Sequence, residues 1–169
     1  MTFSEVLHSS NSNEWETPDH VFDHFDERFN FDLDAAAGGW NYKVQNHFST
    51  ERCAFQHRWS DHGSAVWCNP PYGRGVGIWV KKAYEEAKEG KIKVVLLIMS
   101  RTDTNYFHDY IMKANEVYFI KKRIKFERDD GHTGPAPCGS LIAVFDGKWE
   151  MNKPNFYALE FKKKIGLKS

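Results

Sequence analysis

The residues best suited to chemistry are Asn69-Pro70-Pro71-Tyr72. They fit methyl transfer to a conjugated amine, of which the exocyclic N6 of adenine is one example. The lone pair of such an amine is delocalised into its ring, so the nitrogen is a poor nucleophile. It reacts better when acceptors hold its two hydrogens and favour a pyramidal nitrogen. The Asn69 side-chain oxygen can accept one hydrogen and the Pro70 carbonyl the other, with the prolines fixing the direction of that carbonyl. Tyr72 supplies a flat ring to stack on a base flipped out of a duplex. The scheme needs neither a metal nor a strong general base.

Four such residues must be positioned by regular structure. Ala65-Val66-Trp67-Cys68 reads as an apolar strand that the two prolines terminate. A helix follows over Val76–Glu89, stopped by Gly90. Upstream, Thr17 can cap a helix that has Pro18 at its first position, with Val21, Phe22, Phe25 and Phe29 as its apolar stripe. Phe31–Asp34 reads as a short strand running into Ala35-Ala36-Ala37-Gly38-Gly39, small residues that let a ligand approach the backbone. Lys93–Met99 is a continuous apolar strand of the kind buried on both faces. Asn105–Lys113 reads as a helix and Glu116–Ile120 as a strand, continued or followed by 124–126. Residues 127–139 read as a loop, Leu141–Phe145 as a strand and Phe156–Phe161 as an edge strand. The alternation predicts an α/β fold: a mostly parallel sheet, an antiparallel C-terminal edge, and helices on both faces. Ligands of such sheets bind beyond the carboxyl ends of the strands. That rim would collect Asp34-Ala35-Ala36-Ala37, Asn69-Pro70-Pro71-Tyr72 and Arg101-Thr102-Asp103-Thr104.

The 169 residues suit one domain, with 1–13 and 162–169 as loose ends. The 41% hydrophobic content argues against a disordered chain. No secretory signal or membrane span is expected. Cys53, Cys68 and Cys138 have no paired spacing and the eight histidines are scattered, so neither a disulfide framework nor a metal site is expected. Net charge is zero, but residues 1–78 carry 5 Lys/Arg against 11 Asp/Glu and residues 79–169 carry 18 against 12. That split fits a basic face for a polyanion, and fits equally two solvated halves that compensate. Lys121, Lys122, Arg123, Lys125 and Arg128 alternate with Ile120, Ile124 and Phe126, which suits a ribbon tracking phosphates. Arg74 and Arg101 are further candidates for phosphate contact, and Asp103 for orienting the catalytic loop.

The tetrapeptide is a complete copy of the amino-methyltransferase pattern (D/N/S)-P-P-(Y/F/W). Over roughly residues 14–146 the chain resembles the phage-type DNA N6-adenine methyltransferase family. The matching segments are Glu14–Pro18, Phe31–Ala37, Val66–Gly73, Arg101–Thr104 with Phe107-His108-Asp109, and Ala136-Pro137 with Ser140–Phe145. The resemblance implies a Rossmann-like methyltransferase fold, S-adenosylmethionine as methyl donor and adenine in double-stranded DNA as acceptor. It places Trp15, Thr17 and Pro18 over the adenosyl group, and Asp34, Ala35 and Ala36 at the methionine end. It assigns the ribose to an acid after the second strand, for which Glu51 is the first candidate and Asp61 the second. The G-x-G loop general to methyltransferases is replaced here by Gly38-Gly39. The implied setting is the cytoplasm of a bacterial host, with a phage- or prophage-encoded enzyme that can serve restriction evasion. Other acceptors of the same chemistry are cytosine N4, guanine N2 in RNA and the glutamine amide of a protein. A non-catalytic nucleic-acid-binding relative is the remaining alternative.

Overall fold

A computed structural model describes residues 16–38, 41–127 and 133–161. Among the described residues, three α-helices, α1 (Asp19–Phe29), α2 (Val76–Gly90) and α3 (Asn105–Asp109), accompany eight strands. The strands are β1 (Leu33–Asp34), β2 (Ala65–Cys68), β3 (Lys93–Met99), β4 (Glu116–Ile120), β5 (Lys125–Glu127), β6 (Thr133–Pro135), β7 (Ser140–Asp146) and β8 (Asn155–Leu159). Six form one sheet in the order β1-β2-β3-β7-β4-β8, and β5 and β6 form a separate ribbon.

Strand periodicity divides the core in two. Val66, Cys68, Val94, Leu96, Ile98, Ala143 and Phe145 face α2, where Trp79, Val80, Ala83 and Ala87 are buried. The alternate residues Ala65, Trp67, Val95, Leu97, Ile142 and Val144 pack with Val21, Phe22 and Phe25 of α1. A period of two puts successive side chains on opposite faces, so both faces are apolar and each takes a helix. The expected covering of both faces is therefore present.

The antiparallel strand is not where the sequence reading puts it. β7 is antiparallel to both β3 and β4 and lies between them, while the edge strand β8 runs parallel to β4. Burial explains the placement: every residue of β7 is buried, whereas four of the five in β8 are exposed. The apolar run Leu141–Phe145 belongs to an interior strand. The segment 124–126 does not continue β4 either. Lys122 adopts a left-handed φ of 67° and turns the chain away, and Lys125–Glu127 pairs with Thr133–Pro135. The expected loop 127–139 is thus partly a hairpin.

Helix α1 begins one residue later than its cap signal suggests. Pro18 is the N-cap, and its carbonyl accepts from the backbone N–H of Val21 and Phe22. Thr17 makes no capping bond, because its hydroxyl is turned to another partner described below. The helix ends at Asn30, whose left-handed φ of 51° lets its N–H reach the Asp26 carbonyl. No helix among the described residues is long and apolar enough to cross a membrane.

Candidate active site

The parallel pairings β1–β2 and β2–β3 carry the ends of all three strands to one rim. Asp34, Asn69 and the Arg101 turn gather there, as their positions after successive strands require. The end of β4 and the start of β7 lie on the same rim, which adds Lys121 to Lys125 and Ser140.

Asn69 follows the last buried residue of β2. Its Nδ2 donates to Thr17 Oγ1 at 2.9 Å. Its Oδ1 is buried and has no hydrogen-bond partner. A buried amide oxygen left without a partner costs on the order of 1–3 kcal/mol, so the arrangement calls for a donor from outside the chain. Pro70 is buried, its φ fixed by its own ring, and the following Pro71 restricts its ψ. Tyr72 is half-buried and meets Phe126 at 77° with ring centroids 5.6 Å apart. Burial pushes its phenol well above the ordinary range, so the hydroxyl stays protonated. That hydroxyl also has no partner. Among the described residues, four buried side-chain polar atoms are unpaired, and two belong to this tetrapeptide. Gly73, with φ 147°, then turns the chain toward α2 in a conformation few residues other than glycine adopt.

Asp34 is 3% exposed. Its carboxylate accepts from the backbone N–H of Ala36 at 3.1 Å and of Lys43 at 3.0 Å. The carboxyl is therefore spent on closing the loop after β1. Burial pushes its pKa up to about 6, against the opposing pull of those two N–H groups. A raised acid stabilises the fold below its unfolded value of about 3.9 and loses that contribution as pH rises through the folded value. That rise corresponds to about 3 kcal/mol. Carbon-13 titration of the Asp34 carboxyl is expected to show a midpoint near 6. Between pH 4 and 7 the native chain is expected to lose about 2 kcal/mol relative to Asp34→Asn in denaturant titrations. A midpoint near the ordinary Asp value would contradict this account.

The Lys43 ammonium bonds Glu16 at 2.8 Å and Asp19 at 2.7 Å, which ties the loop after β1 to the arm ahead of α1. That arm is also bridged to the ribbon: Glu16 N–H donates to the Glu127 carbonyl at 2.7 Å, and the Glu16 carbonyl accepts from Glu127 N–H at 3.3 Å. Ribbon, arm and tetrapeptide thus meet around Thr17, Asn69, Tyr72 and Phe126. Neither Lys43 nor the Glu16–Glu127 pairing has a signal in the sequence. Phe126 has one, since it alternates with Ile124.

The remaining candidates are distributed as follows. Trp15, Gly39, Arg128 and the expected loose ends lie outside the described residues. Thr17 and Pro18 are buried at the rim, and Ala35 is buried beside Ala36. Glu51 is exposed in a bend and Asp61 is exposed in a 3-10 turn. Ahead of both acids, residues 46–48 pair with Asp34 beside β1 through one parallel bridge, Asp34 N–H donating to the Asn46 carbonyl at 3.0 Å and Phe48 N–H to the Asp34 carbonyl at 2.9 Å. Arg101 and Asp103, both exposed, pair with each other at 3.1 Å. His108 Nε2 meets the Thr102 carbonyl at 2.9 Å, a structural bond within the turn. Lys121 and Lys122 pair with Glu160 at 2.9 and 3.1 Å. Arg123 reaches the Ala136 carbonyl at 3.5 Å. Arg74 and Lys125 are exposed. No group of three or more His, Cys, Asp or Glu among the described residues could hold a metal ion.

The profile of the family described as DNA N-6-adenine-methyltransferase (Dam) matches residues 4–160. A DNA N-6-adenine-methyltransferase of Escherichia phage T1 is 32% identical over 135 residues, covering 79% of this chain. The aligned stretch spans 56% of that relative's length. With the match running through β1, the Asn69–Tyr72 segment and β7, the chain belongs to the Dam family of DNA N-6-adenine-methyltransferases.

Proposed function

We propose that the chain transfers the methyl group of S-adenosylmethionine to N6 of an adenine flipped out of double-stranded DNA. One observation carries the reading: Asn69 presents a buried, partnerless Oδ1 at the strand-end rim while its Nδ2 is held from behind. An acceptor in that state suits an amine that must be held by its hydrogens. Family membership supports adenine as the base.

S-adenosylmethionine supplies an electrophilic methyl carbon on a sulfonium. Ala35, Ala36, Ala37 and Gly38 keep bulk away from the end of β1 beside the buried acceptor, which fits a donor that must bring its methyl close. Asp34 shapes that loop through its two N–H bonds, and Thr17 and Pro18 close the site from the arm. Trp15 and Glu51 are cofactor candidates by resemblance alone. Asn69 Oδ1 and the Pro70 carbonyl hold the amine's two hydrogens and bring its lone pair out of conjugation. Forming the N–C bond would break the donor's C–S bond and leave a neutral thioether, and the surplus proton on N6 would pass to water. Tyr72, its ring plane fixed by Phe126, stacks on the base and offers a protonated hydroxyl. Arg74, Arg101, Lys121, Lys122, Arg123 and Lys125 meet the DNA backbone. Exposed ion pairs of the Arg101–Asp103 type contribute about 0–1 kcal/mol, so phosphates displace them at little cost.

The test uses labelled S-adenosylmethionine and plasmid DNA from a host lacking adenine methylation. Product digested to nucleosides is expected to contain N6-methyladenine by mass analysis. A methylcytosine signal, or label appearing only in RNA or protein, rejects adenine as the acceptor.

A further inference from the structure

We infer that Thr17 is a positioning residue for methyl transfer, holding the Asn69 amide so that its oxygen faces the reacting amine. The inference rests on the functional reading above and assigns Thr17 a role beyond closing the cofactor site. An asparagine amide has nearly the same shape when its oxygen and nitrogen are exchanged. Turned one way, Asn69 offers the amine an acceptor. Turned the other way it offers two N–H donors to a group that itself donates, and the amine is repelled.

What lies behind the amide must therefore accept from Nδ2 when the oxygen faces the amine. Thr17 Oγ1 stands 2.9 Å from Nδ2 and accepts from it; the hydroxyl could donate to Oδ1 in the other turn, so the amine's two hydrogens select the turn and Thr17 satisfies the amide in it. Thr17 is 3% exposed, so water cannot readily take over the bond. Its backbone is pinned from both sides. Glu16 is paired with Glu127 in the ribbon, and Pro18 is fixed as the N-cap of α1. The chain thus commits three segments, 52 residues apart at the contact itself, to one hydroxyl behind one amide. A valine at position 17 keeps the shape and removes the acceptor, leaving Nδ2 buried and unpaired in the productive orientation. Both turns of the amide then compete.

Thr17→Val is expected to lower kcat roughly tenfold at saturating donor, the size of one lost hydrogen bond. Thr17→Ser, which keeps the hydroxyl, is expected to restore it. S-adenosylmethionine affinity by calorimetry and the melting temperature should change far less than kcat. The distinguishing measurement repeats Thr17→Val in an Asn69→Asp background. A carboxylate offers an oxygen to the amine whichever way it turns, so the same change should cost less than about threefold there. A kcat unchanged by Thr17→Val, a loss confined to donor affinity, or equal losses in the two backgrounds would overturn the orienting role. If Asn69→Asp proves inactive, the decision falls on the native background, where failure of Thr17→Ser to restore kcat overturns it. A native chain that transfers no methyl to DNA is a different result, and it refutes the functional reading itself.

Discussion

Asn69→Ala is expected to reduce methyl transfer by at least two to three orders of magnitude while the protein stays folded and still binds S-adenosylmethionine. The magnitude follows from the charge that develops in the reaction. As the amine attacks, its nitrogen gains positive character and its two N–H groups become stronger donors. An acceptor already fixed in a buried site stabilises that change without reorganising, and losing one such preorganised hydrogen bond typically costs 10²–10³ in kcat. The fold has little to lose. Asn69 makes one side-chain bond, to Thr17, and alanine removes both the donor and an unsatisfied oxygen. The net stability change should lie within about 1 kcal/mol. Single-turnover kinetics with excess enzyme, together with calorimetry for donor binding, checks both halves. Transfer within a few-fold of the native rate would end the proposal that Asn69 holds the amine, however tightly the donor binds.

The sequence carried the frame of this site because its main elements are local. Lys93–Met99 and Glu116–Ile120 have the bounds their apolar patterns give, and the helix after the tetrapeptide runs one residue further than expected. Two prolines fixed the end of β2 from chain chemistry alone. The helix expected over Asn105–Lys113 ends at Asp109 and gives way to a 3-10 turn over Ile111–Lys113; the other main errors involve partners distant in sequence. Thr17 looks like a helix cap because a threonine before a proline is a local signal, yet its hydroxyl is claimed by a residue in another segment. The ribbon β5–β6 is short, and its second strand, Thr133-Gly134-Pro135, has neither alternation nor a β-branched run; pairing with Lys125–Glu127 makes it a strand. Strand order was equally hidden. A period of two looks the same at an edge and in the middle of a sheet, and only the unbroken apolar run of β7 hinted at its interior place. Residues 41–63 form no named strand and no α-helix. They are held by ring contacts such as Phe48 with His57 and His62, and by Asn46, whose amide donates to the Asp32 and His62 carbonyls.

The largest expected loss of stability comes from the opposite rim. Gly147 follows β7, where the chain passes directly against the last turn of α2. A Cβ placed on Gly147 would lie 1.7 Å from the Ala87 carbonyl oxygen, 2.5 Å from its carbon and 3.1 Å from the Lys91 Cα. All three are backbone atoms, so no rotamer change relieves the clash. Either the end of β7 gives up the bond from Gly147 N–H to the Ile92 carbonyl at 3.0 Å, or α2 moves off the sheet. The second route opens the layer where Ala83 and Ala87 pack among Val94 and Phe145. Overpacking a core by this kind of forced shift costs about 3 kcal/mol or more. For a chain of this size that corresponds to a fall of roughly 10 °C in melting temperature. Gly147→Ala is therefore expected to melt early by calorimetry while the folded fraction keeps its kcat, since β7 leaves Gly147 at the far end of the sheet from Asn69. A melting temperature within about 2 °C of the native value would show that α2 and β7 are not in contact there. Measured together, the two substitutions separate what the sheet holds in place from what the rim does. Asn69→Ala should leave a stable protein that cannot transfer methyl, and Gly147→Ala an unstable one whose folded molecules still can.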